Sequence, residues 1–168
     1  MIMKKRGFTL VELMVVMAMT AIMISVTIVS LSGSRDRKAV EGEARKFAAV
    51  VREAQNYALT GKQFVSGRVT CSVGISDIGD LDEAYDITYT YRNGADCSSY
   101  ISTVFSTNQL SNGVHFSSDP IPFSFAVPRG ETGLGSTLRI EMSKESATYS
   151  VCIYRTGRVE DVSGVSCP

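Results

Sequence analysis

Lys4-Lys5-Arg6-Gly7-Phe8-Thr9-Leu10-Val11-Glu12-Leu13 begins the stretch on which the fold turns, and residues 8–31 continue it as a run of Leu, Val, Met, Ile and Ala. Glu12 is the one ionisable side chain among those 24 residues. As a helix the run is about 36 Å long, enough to cross a hydrocarbon core of about 30 Å. The basic residues before it hold its N-terminus on the cytoplasmic side and direct the rest of the chain outward. A secretory signal peptide shares the basic start and the apolar middle. This run is longer than such a peptide needs, and Ser30-Leu31-Ser32 is a poor A-x-A cleavage site. A carboxylate in a membrane helix costs about 2.5–3.5 kcal/mol at the centre and less near the end, so Glu12 calls for a partner.

Beyond Ser32-Gly33-Ser34 the chain turns polar, with apolar residues at Val40, Ala44, Phe47, Ala48, Val51, Ala54, Ala58 and Leu59. That three-and-four spacing is the stripe of an amphipathic helix. Arg37, Glu41 and Arg45 fall on another face at i, i+4 steps, where opposite charges give modest support. Gly42 weakens the helix by about 1 kcal/mol relative to Ala, and Gly61 stands where a closing glycine is expected. Short strands follow, expected over 65–73, 85–91, 102–106, 114–117, 123–127, 136–142 and 148–154. Ile87, Tyr89 and Tyr91 alternate with Thr88 and Thr90, the pattern of a half-buried strand. Asn93-Gly94, Asn112-Gly113, Arg129-Gly130 and Thr156-Gly157 mark turns. The fold class is α+β, a long N-terminal helix packed on an antiparallel β-sheet domain.

The chemistry of the exported part is sparse. Seventeen basic and 17 acidic residues balance; without residues 1–7, 14 basic face 17 acidic, so the chain lacks the bulk charge that draws a protein to nucleic acid. Cys71, Cys97, Cys152 and Cys167 form no C-x-x-C, and an even number outside the cytoplasm suggests two disulfides with three possible connectivities. Cys71–Cys97 and Cys152–Cys167 are the expected pairs, since each closes a short loop. Asp77, Asp80, Asp82, Glu83 and Asp86 crowd one loop, and calcium takes six to eight oxygen ligands. Their spacing fits no EF-hand, and an acidic solvated loop is the commoner explanation. His115 is the sole histidine, so there is no Cys–His or metal cluster to build, and no hydrolase, zinc-protease, P-loop or dinucleotide motif occurs. Tyr89, Tyr91 and Tyr100 read as sheet face rather than as a stacking platform. No catalytic residue, metal or cofactor is expected.

The segment from Gly7 to Leu13 resembles the prepilin cleavage and methylation motif of type IV pilins and type II secretion pseudopilins. The resemblance implies that a prepilin peptidase cuts between Gly7 and Phe8 and that Phe8 is N-methylated. It also implies that Glu12 pairs with the Phe8 amine of an adjacent subunit and sets axial register. A cut there creates an amine close enough to serve a membrane carboxylate. The segments are then a leader over 1–7, a transmembrane helix over 8–31, its amphipathic continuation over 32–60 and a β-rich exported domain over 61–168. Farther on, the stretch from Phe123 to Gly130, Gly133 and Gly135, then Leu138 to Met142 and Tyr149 to Glu160, is similar to the tail of GspH/FimT-type minor pilins. Arg129-Gly130 and Gly157-Arg158 stand for that group's two Gly-Arg turns, the first in reversed order. Some FimT-like members bind DNA through Gly-Arg-x-Arg, whereas this chain has Glu160 where the second Arg would be. A carboxylate there repels phosphate.

The function so implied is that of a minor pilin or pseudopilin, an assembly subunit of a type II secretion pseudopilus or type IV pilus. Its partners would be the peptidase, other pilin subunits and the inner membrane, with the C-terminal domain outside. A major pilin and a DNA- or surface-binding tip module are the rival readings, and an exported enzyme fits least.

Overall fold

A computed structural model describes residues 9–77, 83–92, 96–117, 122–164, 166 and 167, with backbone alone over 26–32. The apolar run and the amphipathic stripe form one element, α1 (Leu10–Thr60). The chain divides into two compact units, Met1–Arg35 and Asp36–Pro168, so the break falls four residues beyond the end of the apolar run. Thr9 starts the helix: its side-chain oxygen accepts a hydrogen bond from the Glu12 N–H at 3.3 Å, satisfying one of the donors that a helix start leaves without a partner. Gly61 ends it in the left-handed region (φ 62°). The Gly61 N–H meets the Ala58 carbonyl and the Lys62 N–H meets the Tyr57 carbonyl. That pair of bonds is the Schellman closure, and the conformation favours glycine.

The unit Asp36–Pro168 carries eight strands among the described residues: β1 (Thr70–Asp77), β2 (Ala84–Arg92), β3 (Tyr100–Gln109), β4 (His115–Phe116), β5 (Phe123–Ala126), β6 (Leu138–Lys144), β7 (Ala147–Ile153) and β8 (Val159–Ser163). They make two antiparallel sheets, ordered β3-β2-β1-β5 and β4-β6-β7-β8. The antiparallel β-sheet domain expected from sequence is thus built as two sheets. Asn112 and Gly113, both at positive φ, turn the chain from the first sheet to the second. The first strand begins at Thr70 rather than at 65, because residues 62–69 run as turns after the helix.

The second half of α1 supplies the core. Val40, Ala44, Phe47, Ala48, Val51, Ala54 and Ala58 are all buried, whereas Leu59 is 50% exposed. Phe47 meets a ring from each sheet edge-on: Tyr85 of β2 at 4.9 Å and Phe116 of β4 at 5.6 Å. These rings join the inward residues Val73, Ile75, Ile87 and Phe125 of one sheet and Ile140, Met142, Val151 and Ile153 of the other in one cluster. Two disulfides fasten the domain: Cys71–Cys97 and Cys152–Cys167, the same pairs that short-loop closure favours.

The eighth strand is absent from the expected set. Val159-Glu160-Asp161-Val162-Ser163 carries two adjacent acids, and acidic residues are depleted in strands. Cations supplied from elsewhere make the strand tenable. Arg52 Nη2 lies 3.2 Å from Asp161 and donates to the Val159 carbonyl at 3.1 Å, and Arg45 approaches Asp161 to 3.8 Å. Glu160 receives Arg158 at 2.8 Å and the Tyr154 hydroxyl at 3.0 Å.

Candidate functional site

The N-terminal segment and the domain present different chemistry. Glu12 sits in the first turn of α1, three residues after Thr9. Thr9-Leu10-Val11-Glu12 has the form of a capping box, in which a Glu or Gln side chain at the fourth position reaches back to the first. The site also lies at the positive end of the helix dipole, which favours a carboxylate. Gly7 and Phe8 lie outside the described residues. Leu10, Val11, Leu13, Met14, Val15, Val16, Met17, Met19, Ile22, Met23 and Ile24 are all exposed, on every side of the helix. An exposed apolar surface of that extent is the mark of a segment that meets apolar surroundings or partner helices. Among the described residues no helix is long and apolar enough to cross a membrane; of the expected span over 8–31, Phe8 and the side chains of 26–32 lie outside that description.

In the domain the two glycine turns marked by the sequence converge on one place. Gly130 (φ 65°) and Gly157 (φ 87°) both adopt the left-handed region. A Cβ at Gly130 would come within 2.6 Å of Leu59, and one at Gly157 within 2.4 Å of both Gln55 and the Gly130 carbonyl. Gln55 donates from Nε2 to that same carbonyl at 3.3 Å. Nearby, Thr132 bonds through its N–H and hydroxyl to the Arg155 carbonyl and through the hydroxyl to that of Tyr154. The loop after β5 and the β7–β8 turn thus close together over the last turns of α1.

Arg158 follows Gly157 but is not a free cation: its guanidinium pairs with Glu160 and lies over the Tyr154 ring at 4.4 Å. Glu160 and then Tyr154 raise its pKa further. His115 lies 3.1 Å from the Ser143 hydroxyl. Asp80 and Asp82 of the acidic loop lie outside the described residues. Asp86 accepts a hydrogen bond from Thr107 at 2.6 Å, and no three potential metal ligands gather among the described residues.

Sequence reasoning passed over Glu43. This carboxylate is 4% exposed on the apolar face of α1. It accepts hydrogen bonds from Ser111 Oγ at 2.5 Å and Lys46 Nζ at 2.8 Å, and a longer one from Asn112 Nδ2. Burial pushes its pKa up, but the Lys46 and Ser111 bonds outweigh burial and hold it below its ordinary value. Burial, and then the Glu43 charge, push the neighbouring Tyr85 up to about 12. The signal was present: position 43 is three after Val40 and four before Phe47, on the apolar stripe.

The profile of the prokaryotic N-terminal methylation motif matches residues 2–31. The chain's N-terminal segment carries that motif. The motif brackets Gly7, Phe8 and Glu12 and extends through the apolar run. Among solved structures, the type IV minor pilin FimU of Pseudomonas aeruginosa aligns at 12% identity and a TM-score of 0.49, over 71% of this chain and 90% of that one. The minor pseudopilin EpsH of the Vibrio cholerae type 2 secretion system aligns at 12% identity and 0.48, over 74% and 96%. A second EpsH structure gives 10% and 0.47, over 79% and 99%. No curated protein matches the chain in sequence.

Proposed function

We propose that this protein is a minor pilin or pseudopilin, a structural and assembly subunit of a type IV pilus or type II secretion pseudopilus and not an enzyme. The observation that carries this reading is the methylation motif over residues 2–31, with Glu12 in the first turn of a helix whose apolar side chains are exposed all round. On this reading a prepilin peptidase cuts between Gly7 and Phe8 and the new Phe8 amine is methylated. The run over 8–31 holds the subunit in the inner membrane with the domain outside, and later packs among neighbouring helices. Glu12 sets register by pairing with the Phe8 amine of an adjacent subunit. The engaged state of Arg158 supports a role other than binding nucleic acid.

Intact mass of the membrane-extracted protein should show loss of residues 1–7 and gain of one methyl group; an N-terminus near residue 33 would overturn the reading. Glu12→Gln separates register from capping. A glutamine serves the capping box as well as a glutamate does, so a purely local role predicts normal assembly. A register role removes the anion from a pair of low-dielectric charges, which costs about 3–5 kcal/mol. The expected outcome is a cleaved, membrane-resident subunit missing from sheared filaments. Equal incorporation of mutant and wild type would remove Glu12 from the mechanism.

A further inference from the structure

The outer face of the β3-β2-β1-β5 sheet is hollowed into a groove of about 690 Å³, within the size range of small-ligand sites. Among the described residues its lining carries no ionisable carboxylate, cation or imidazole: no Asp, Glu, Lys, Arg or His contributes. Six serine and threonine side chains do, besides the Tyr100 phenol: Ser72, Ser76, Thr88, Thr90, Ser102 and Ser124. They fall in rows across the sheet, because Ser72 pairs with Thr90, and Thr90 in turn with Ser102. Gly74 lies between Thr88 on one side and Ser124 on the other. A Cβ there would come within 2.3 Å of the Phe123 carbonyl, so β5 packs against β1 at a closeness that only glycine allows. Tyr100, 60% exposed, and Leu134 form apolar walls. The Cys71–Cys97 disulfide closes one side.

We infer that this groove binds a neutral oligosaccharide. A serine or threonine hydroxyl both donates and accepts, which complements a ligand whose own groups do the same. Ser72 and Thr90 bond to each other at 2.7 Å, which leaves one donor and further acceptor sites on the pair. Ser76, Thr88, Ser102 and Ser124 have no side-chain hydrogen bond to another described residue. The exposed ring of Tyr100 offers a flat apolar surface with a polar tip, suited to the C–H face of a pyranose. Arg92 stands opposite Tyr100 in the register but outside the lining, with Asp96 near enough for its carboxyl to be lowered by Ser98 first and by Arg92 among lesser causes. An extended peptide is the less favoured occupant. The floor strands β1 and β2 are each paired on both edges, so they have no open ladder for another strand to join.

The test is saturation-transfer NMR of the full chain in lauryldimethylamine oxide micelles, which carry no sugar headgroup. The probes are neutral glucose, galactose and N-acetylglucosamine oligomers beside sialylated and sulfated ones. At least one neutral oligomer should receive saturation through its ring protons. Tyr100→Ala and Thr88→Val should each weaken that binding about tenfold, while Tyr100→Phe and the remote Gln63→Ala stay within about twofold. Circular dichroism should match across the set, since Tyr100 and Gln63 are exposed and Thr88→Val preserves shape. The inference is overturned if no neutral oligomer binds at millimolar concentration, if only acidic ones bind, or if Tyr100→Ala binds as tightly as wild type. Capture of a neighbouring subunit's polypeptide by a photocrosslinker at Leu134 would likewise overturn it, by assigning the groove to filament packing. Each of these results leaves the assembly role of the N-terminal motif where it stands.

Discussion

Glu43 shows how a single carboxylate can be held inside an apolar face. Ser111 and Asn112 belong to the turn that passes the chain from one sheet to the other, and both donate to it. The residue therefore joins α1 to the crossover. Lys46 adds charge but is largely exposed, so solvent screens its share. The folded pKa lies below the ordinary 4.5. The stabilisation is accordingly complete above the unfolded value and is lost as the pH falls below about 4.5 and through the folded value. Glu43→Gln should cost about 1–3 kcal/mol at pH 7, measured by urea unfolding of the full chain. The gap between mutant and wild type should narrow at pH 3; a gap that stayed constant would show that the charge is not what matters.

At the scale of elements, the two glycine turns at Gly130 and Gly157 pack against Leu59 and Gln55 in the last turns of α1. They are not equivalent. At Gly130 the obstacle is the Leu59 side chain, which is half-exposed and can rotate away. At Gly157 the obstacles include the Gly130 carbonyl, a backbone atom. Both substitutions to alanine meet the left-handed penalty of about 1–2 kcal/mol. Gly157→Ala should cost a further 1–3 kcal/mol or so through overpacking, while Gly130→Ala should stay near the conformational penalty alone. Thermal unfolding of the two variants side by side checks the order, and equal losses would contradict the backbone clash. The β8 strand makes the complementary point: Asp161 is tolerable because Arg45 and Arg52 of α1 reach it, and Glu160 because Arg158 and Tyr154 do.

For the molecule as a whole, the disulfides are unlike in access. Cys152 is buried in the core, whereas Cys97 lies on the exposed surface. Thiol exchange needs an approach to sulfur, so mild dithiothreitol should open Cys71–Cys97 before Cys152–Cys167, as read by alkylation and peptide mass. The Cys152–Cys167 bond closes a separation of 15 residues, worth about 3 kcal/mol in the chain-entropy account. A Cys152→Ala, Cys167→Ala pair should lower stability by about that amount or more, because Cys152 also leaves a cavity. Reduction in the opposite order would show that the domain opens more readily at its C-terminus than its burial implies.

The sequence by itself determined the long helix, its buried stripe from Val40 to Ala58, the closing Gly61 and six of the strands to within a few residues. These depend on periodicity and on local backbone chemistry, which neighbouring residues already contain. It also contained the N-terminal methylation motif, since a basic cluster, a small residue, an aromatic and a carboxylate stand at fixed spacing in one short segment. What it could not determine were features made by residues far apart in the chain. The division into two sheets depends on which strands pair. The β8 strand depends on arginines about a hundred residues earlier. The role of Glu43 depends on hydroxyl and amide groups 68 and 69 positions away. The outer groove needs four strands in register before its hydroxyls share a surface. In each case the interaction energy belongs to a pair or a set of side chains, and only the tertiary structure brings its members within reach.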